Sequence, residues 1–347
     1  MLKSTIIGLD VANAFIKMVF DGGSMCYYNT IKKIENKEMN GGLATYSEYP
    51  VFGYEGNDYL IGIPGAFGSG GINIGRYSGK QYKKEVLFAV SQVVKEHNEK
   101  VIIFAGVPCY HYDADKIIND LKRNLKGKHE VVVDNVRKKF EIVEVMVMGQ
   151  PMGTMVSKFF GIDGDEIYQK VLDKIMMQTH LIIDHGWGTT DFILFNLAEG
   201  GVIKYDTIPI GMKEVTSKIE NAISKKRPDL MIKDYYESKY KLDQDLQSGV
   251  LVIGQQRFMA DSIKKEVHKG HSDEVKQRCL NSGFKLDYII VHTGGGAAAM
   301  SDALTEEMGG TVEEDSQMAN ANGYYISGKQ QQWLIQLHLD LPKEMKN

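Results

Sequence analysis

Short apolar runs alternate with amphipathic stretches along most of the chain. The runs at residues 5–9 and 15–20 lie on either side of a short polar loop, which predicts a hairpin that opens a sheet. Periodicity of two or continuous apolar character predicts further strands at 59–63, 101–107, 181–184, 192–195, 202–207 and 288–292, with two more inside 130–148. Helical periodicity predicts helices at 83–98, 113–125, 152–160, 165–177, 212–224 and 297–308. Strands and helices in this order predict an α/β fold with a mixed, largely buried sheet in each half.

Composition narrows the class of protein. A length of 347 residues exceeds the usual size of one core, so two domains are expected. The formal net charge of -4 provides no field that would attract DNA directly. Three scattered cysteines indicate reduced thiols and a cytoplasmic protein. No apolar run approaches the ~20 residues that a bilayer requires, and the apolar start is interpreted as a first strand, not a signal peptide.

One sequence element occurs twice. Each copy is an apolar strand that runs into an aspartate, Asp10 or Asp184, followed by a loop and a second apolar strand. Each aspartate is followed seven positions later by a charged residue, Lys17 or Asp191. Two copies of one element predict two related domains that face a cleft.

The loops of this repeat favour a polyphosphate ligand. Glycines at 186 and 188 permit backbone N–H groups to turn inward, and Thr189 and Thr190 add hydroxyl donors. Asp10 and Asp184 would repel a bare phosphate, but they suit a hydrated Mg²⁺ that neutralises it. Lys17 supplies a positive charge for the β- or γ-phosphate. The alternative is that both aspartates only end strands and cap turns.

A third glycine loop follows the strand at 288–292. Three consecutive glycines, Gly294, Gly295 and Gly296, would let a flat ring or a ribose lie against the backbone. Alone, this loop is equally typical of tight strand–helix packing. The glycine-dense segment 65–79 is predicted to be a surface loop and not a P-loop, because Gln81 stands where a P-loop needs Ser or Thr.

Together the three loops resemble those of the actin, Hsp70 and sugar-kinase superfamily. The chain looks most like the ParM/StbA group of plasmid-segregation actins, on the segments 59–62, 149–153 and 318–324. The resemblance implies an actin-like fold with a nucleotide cleft between domain I, residues 1–160 plus 320–347, and domain II, residues 161–319. The tail at 330–341 is expected to pack on domain I. The implied nucleotide-binding residues are Asp10, Ala12, Asn13, Ala14, Lys17, Gly186, Trp187, Gly188, Thr189, Thr190, Gly294, Gly295 and Gly296.

The resemblance also implies an activity. Gln150 matches the residue that orients the attacking water, with Asp184 as its catalytic partner, and Asp10 and Asp184 hold Mg²⁺ through water. Glutamine is a poor base, so slow hydrolysis of ATP or GTP is expected. The alternative for Gln150 is a helix cap.

Assembly is implied in the same way. The expected partners are further copies of the chain, in a head-to-tail and multi-stranded filament, and an adaptor protein bound to a plasmid centromere, so that DNA is contacted only indirectly. No membrane partner is expected, because no basic amphipathic end helix is present. Two alternatives stay open: a small-molecule kinase of the same superfamily, and a bacterial-actin scaffold without a plasmid role.

Overall fold

A computed structural model gives the fold for residues 4–34, 49–63, 74–95, 98–164, 166–236 and 239–340. Within these ranges, the first sheet has nine strands in the order β3-β2-β1-β7-β9-β8-β5-β6-β4. Its central strands are apolar on both faces because helices cover both sides. Its strands are β1 (Thr5–Val11), β2 (Phe15–Phe20), β3 (Gly23–Tyr28), β4 (Ile31–Lys33), β5 (Val51–Tyr54), β6 (Asn57–Ile61), β7 (Glu99–Val107), β8 (Gly127–Val133) and β9 (Val136–Gly149).

The second sheet has five strands in the order β14-β13-β12-β17-β18. They are β12 (His180–His185), β13 (Thr190–Asn196), β14 (Gly201–Ile208), β17 (Ile289–Thr293) and β18 (Thr311–Val312). Two hairpins stand outside both sheets: β10 (Phe160–Asp163) with β11 (Glu166–Gln169), and β15 (Val250–Ile253) with β16 (Gln256–Met259).

The two sheets share one pairing scheme. β1 is antiparallel to β2 and parallel to β7, and β12 is antiparallel to β13 and parallel to β17. The register also repeats, because Asp10 pairs with Lys17 and Asp184 pairs with Asp191. The repeat read from the sequence is therefore a repeat of structure, and the predicted α/β architecture with two mixed sheets is confirmed.

Helices fill the faces of both sheets. They are α1 (Lys80–Val93), α2 (Cys109–Tyr112), α3 (Asp115–Leu125), α4 (Gln150–Phe159), α5 (Asp173–Met176), α6 (Met212–Lys226), α7 (Ile232–Tyr235), α8 (Lys239–Gln247), α9 (Asp261–Asn281), α10 (Gly295–Ala299), α11 (Ser301–Met308) and α12 (Ala319–Asp340). Short 3₁₀ turns lie at Ile74–Arg76, Leu197–Glu199 and Pro228–Leu230. No helix in the part of the chain that the structure describes is long and apolar enough to cross a membrane.

Several local predictions need correction. The predicted helix at 165–177 is wrong: Glu166–Gln169 forms a strand paired with Phe160–Asp163 across a turn at Gly164, and only Asp173–Met176 is helical. Strand pairing overrides the helical periodicity there. The helix predicted at 297–308 begins at Gly295 and is interrupted at Met300. Most of the predicted loop at 65–79 lies outside the described residues, apart from the 3₁₀ turn and the turn that follows it.

Helices α4 and α12 cross between the two sheets. Gly153 and Gly323 lie at the crossing, where a Cβ on Gly323 would be 1.7 Å from the Gly153 carbonyl oxygen. Only glycine permits so close an approach. Tyr324 and Tyr325 of α12 pack on Ile6, Ile102 and Phe104, on one face of the first sheet.

The side chains of the predicted tail are described only as far as residue 331, so its packing stays a prediction. The predicted domain boundaries also stay a prediction.

Candidate functional site

A cavity of about 530 Å³ lies between the two sheets, where the three glycine and aspartate loops meet. One end of the cavity is lined by the loops after β1, β12 and β17, and the other end by helices of the second half. Of the predicted residues, it is lined by Asp10, Ala12, Asn13, Ala14, Lys17, Gln150, Asp184, Gly186, Trp187, Gly188, Thr189, Gly294, Gly295 and Gly296. Residues separated along the chain thus converge as the sequence predicted.

Thr190 is the predicted residue that does not line the cavity. Its side chain is fully buried, and its hydroxyl donates to the Ile210 carbonyl at 3.0 Å. The hydroxyl therefore fastens β13 to the segment before α6. Thr189, one position earlier, does line the cavity and donates to Asp191 Oδ2 at 3.2 Å.

Asp10 and Lys17 form a buried ion pair. Lys17 Nζ donates to Asp10 Oδ2 at 2.6 Å, and Asp10 is 1% exposed. Burial alone would lower the pKa of Lys17, but Asp10 and Asp184 outweigh it and raise the pKa. The ammonium thus stays charged, and it neutralises the first carboxylate as well as facing the predicted phosphate position.

Asp184 lies against the third loop and against α12. Asn320 Nδ2 donates to Asp184 Oδ2 at 2.6 Å. Burial raises the pKa of Asp184 to about 6, partly opposed by Lys17. A Cβ on Gly294 would lie 2.2 Å from Asp184 Oδ1, so glycine is required there. The backbone of Gly294 also has a φ of +85°, which suits only glycine.

The loop after β12 is fixed from outside by the start of α6. Met212 and Lys213 donate their N–H groups to the carbonyls of Gly186 and Trp187, at 3.1 and 2.9 Å. Gly211 makes this contact possible, since its Cβ would lie 2.6 Å from the Gly186 oxygen. These two carbonyls face α6, which leaves the inner side of the loop for a ligand.

Several residues that line the cavity were not predicted, among them Arg76 and Asp191 near its phosphate end. Arg76 donates to Asn13 Oδ1 at 2.7 Å, to the Val11 carbonyl at 3.2 Å and to Glu85 at 2.9 Å, and thereby holds the first loop. No sequence signal pointed to it, because it lies in a segment predicted to be a surface loop. Asp191 lines the cavity, and burial raises its pKa to about 7. The seven-residue spacing from Asp184 pointed to Asp191 without assigning it a ligand.

Gln150 begins α4 and faces the first loop. Its Nε2 lies 3.4 Å from Asp10 Oδ1, and its backbone carbonyl accepts from Tyr324 Oη at 3.1 Å. The side chain therefore points into the phosphate end of the cavity. A pure capping role does not account for this direction.

Bonds across the cleft connect the two halves beside this end. Cys109 N donates to Asp191 Oδ1 at 3.2 Å, and Tyr110 N donates to Thr207 Oγ1 at 3.3 Å. Thr154 of α4 bonds to Thr293 at 2.9 Å. A ligand between the loops would therefore contact the same junction that joins the sheets.

The donor set suits a hydrated divalent cation. Asp10 and Asp184 are both buried; burial and the charge of Asp10 raise the pKa of Asp184, while Lys17 faces both carboxylates and opposes the rise. Carboxylate oxygens are the ligands that Mg²⁺ prefers, and the ion usually keeps several waters. Among the described residues, no group of three or more His, Cys, Asp or Glu could hold a metal by itself. Such an ion would thus need water and phosphate oxygens to complete its coordination.

The far end of the cavity was also not predicted in detail. It lies among α6, α8, α9 and α10 and combines apolar walls with both signs of charge. Its residues are Ile219, Asp243, Leu246, Gln247, Lys264, His268, Ala298 and Ala299.

Comparisons with known proteins agree with this geometry. Residues 8–153 match the family model described as the N-terminal domain of actin-like proteins. No curated protein matches the sequence. The crystal structure of Ta0583, an archaeal actin homologue, is similar with a TM-score of 0.72 at 18% identity, over 94% of this chain and 99% of that chain.

Two further structures show the same likeness. The apo psk41 ParM protein has a TM-score of 0.70 at 18% identity, over 96% of this chain and 99% of its own. A 15-stranded ParM filament from Clostridium botulinum has a TM-score of 0.73 at 16% identity, over 94% and 99%. The TM-scores establish a shared fold. At identities this low, the ligand and the activity of this chain have to be argued from its own site.

Proposed function

We propose that this chain, whose fold is the actin-like fold, binds a nucleoside triphosphate with Mg²⁺, hydrolyses it slowly and assembles head-to-tail into filaments. The observation that carries the proposal is the repeated register. Asp10 with Lys17, and Asp184 with Asp191, occupy equivalent positions in two sheets and line one cavity. An archaeal homologue of this fold was crystallised with ADP, and two relatives were solved as filaments, which supports both parts of the proposal.

Different charged residues would contact the metal ion and the phosphates of the nucleotide. When bound, Mg²⁺ would neutralise phosphate charge and be held through water by Asp10 and Asp184. Lys17 presents an ammonium to the same end, and Arg76 keeps the first loop in place through Asn13. Gly294 leaves room beside Asp184 for the ligand to approach the backbone.

Gln150 has the role of orienting water. Its amide can donate to and accept from a water molecule beside the terminal phosphate, but it cannot take a full proton at neutral pH. Positioning without a strong base predicts slow turnover, as in other phosphoryl-transfer sites that rely on electrostatics.

Nucleotide state would then control assembly. The cavity is lined by both halves, and the bonds from Cys109 to Asp191 and from Tyr110 to Thr207 join them beside the phosphate end. A terminal phosphate that biases this junction by ~1–3 kcal/mol suffices to separate growing from shrinking filaments. A head-to-tail contact that does not close into a ring produces an open filament.

We further propose that such filaments segregate plasmid DNA through an adaptor protein.

Calorimetry and light scattering test the proposal together. With Mg²⁺, ATP or GTP should bind the purified chain, and scattering at micromolar protein should rise and then fall as phosphate is released. EDTA should abolish both signals, and electron microscopy should show filaments. If neither nucleotide binds, the proposal is wrong. Binding without filaments would leave a nucleotide-dependent enzyme, such as a small-molecule kinase, whereas filaments without nucleotide dependence would indicate a passive scaffold.

A further inference from the structure

The end of the cavity away from Asp10 and Asp184 has a distinct chemistry. Ile219 of α6 and Leu246 of α8 form apolar walls, and both are buried. The same end is also lined by a carboxylate, Asp243 of α8, and an ammonium, Lys264 of α9. A slot with apolar walls and a few fixed polar groups is typical of a site for an aromatic ring.

Asp243 is held in one orientation. The hydroxyl of Thr216, which is fully buried on α6, donates to Asp243 Oδ1 at 3.0 Å. Burial raises the pKa of Asp243 to about 6, while Thr216 and Lys264 oppose the rise. At pH 7.5 the group is therefore mostly a carboxylate, and as a residue that lines the cavity it can accept further hydrogen bonds there.

Lys264 is fixed on the other side. Its Nζ donates to the Leu246 carbonyl at 2.6 Å, which uses one of the three N–H groups of the ammonium. The remaining N–H groups can reach an acceptor in the cavity. The slot thus offers a pure acceptor and a pure donor at fixed places.

This pair matches one purine and opposes the other. Guanine presents two adjacent donors, N1–H and the 2-amine, beside two acceptors, O6 and N7. A carboxylate accepts from the donors and an ammonium donates to the acceptors. Adenine presents a ring nitrogen acceptor where guanine has N1–H, and an amine where guanine has O6, so both fixed groups would meet the wrong partner.

We propose that this end of the cavity is a guanine-selective base site in which Asp243 accepts from the Watson–Crick edge and Lys264 donates to O6. This inference rests on the proposed nucleotide-binding function and assigns its substrate class. GTP is then the preferred nucleotide, and ATP the weaker one.

Calorimetry of the full chain with Mg²⁺ and three nucleotides, GTP, ATP and ITP, tests the assignment. A bidentate contact of this kind discriminates by about 5- to 150-fold. GTP should bind the unaltered chain about tenfold or more tighter than ATP. ITP, which lacks the 2-amine, should fall between them. This comparison needs no variant, so it does not depend on how any substitution folds.

The variant Asp243→Asn sharpens the test. Xanthine carries a carbonyl oxygen where guanine has the 2-amine, and a carboxamide can donate to that oxygen while accepting from N1–H. We therefore expect Asp243→Asn to lose about tenfold in GTP affinity and to gain affinity for XTP. Asp245→Asn is the matched control: it lies on the same helix, bonds to Tyr236 and Lys241 and does not line the cavity. It should leave all four affinities unchanged.

Three outcomes separate the claims. Equal affinity of the unaltered chain for GTP and ATP would overturn the base assignment and leave the nucleotide function standing. A second outcome would be that Asp243→Asn loses affinity for GTP and ATP equally, and that the unaltered chain binds 2′-deoxy-GTP as weakly as the variant binds GTP. Asp243 would then be a ribose contact, and the base assignment would be overturned as well. Failure of every nucleotide to bind would instead remove the proposed function.

Discussion

Asn320 donates its amide to Asp184 Oδ2 at 2.6 Å and accepts from Thr154 through its other side-chain atom. One side chain of α12 thereby links the second aspartate loop to α4. Since Asn320 is 3% exposed, no water replaces these bonds when they are lost. The orientation of Asp184 thus depends on a helix that packs on the other sheet.

The variant Asn320→Ala tests this link. It leaves the Thr154 amide and an Asp184 oxygen unsatisfied, so we expect a loss of about 2–3 kcal/mol in the free energy of unfolding. Nucleotide affinity in Mg²⁺ should fall as well. Asn322→Ala is the control, because its amide has only a long 3.4 Å contact with Asp315, and it should stay within about 0.5 kcal/mol. Equal urea midpoints for the two variants would contradict the link.

Gln150→Ala separates binding from hydrolysis. The change removes the group that we propose orients water beside Asp10, so phosphate release should slow by ~10²-fold or more. Nucleotide affinity, measured by calorimetry, should change little. Gln92→Ala, on α1 and away from the cavity, should release phosphate at the original rate. Unchanged release from Gln150→Ala would leave the helix-capping interpretation.

Two helical glycines predict substitution effects of opposite sign: Gly323, at the crossing of α4 and α12, and Gly270, inside α9. A Cβ on Gly323 would lie 1.7 Å from the Gly153 oxygen, so Gly323→Ala must force the helices apart, at a cost of about 1–3 kcal/mol or more. Gly270, inside α9, has no atom within 4 Å of its Cβ position. Gly270→Ala should therefore gain up to about 1 kcal/mol. Thermal unfolding of both variants measures the contrast, and a neutral Gly323→Ala would show that the crossing is loose.

Asp191 predicts a dependence of stability on pH. Burial raises its pKa from 3.8 to about 7, with Asp184 as the charged group that adds to the rise and with Thr207, Cys109 N and Thr189 as donors that oppose it. The folded chain thus keeps a proton that the unfolded chain releases, so Asp191 contributes a loss of stability as pH rises from about 4 to 7, and no further change above it. Asp191→Asn should remove this loss and gain on the order of a few kcal/mol at pH 8 over the unaltered chain.

Urea unfolding without nucleotide or Mg²⁺, from pH 4 to pH 8, measures this difference. Asp234→Asn, an exposed carboxylate on α7, is the control and should follow the unaltered chain at every pH. A constant difference between Asp191→Asn and the unaltered chain over this range would show that Asp191 ionises normally.

The part of the site that was predictable from the sequence is the part encoded locally. Strand, loop and strand lie next to each other in the chain, so the pairing of Asp10 with Lys17 and of Asp184 with Asp191 follows from short-range pattern. The resemblance to actin-like proteins drawn from those loops is confirmed for the fold by the similar structures. Their role in nucleotide binding stays a proposal.

The part that was not predictable depends on distant residues. Arg76 reaches Asn13 from a segment without periodicity, and Asn320 reaches Asp184 from the last helix. Neither contact leaves a mark in the local sequence. The wrong helix at 165–177 has the same origin, because Glu166–Gln169 becomes a strand only through pairing with Phe160–Asp163.

The position of α12 in the sequence also determines when the first sheet is covered during synthesis on the ribosome. Ile6, Ile102 and Phe104 are synthesised early, whereas Tyr324, which covers them, emerges near the end. At the usual speed of translation, the apolar face of the nascent first sheet stays exposed for roughly 10–40 s until Tyr324 is synthesised. Chaperones therefore have a defined window on this nascent chain, and any product that stops short of Tyr324 keeps that face uncovered for its whole lifetime.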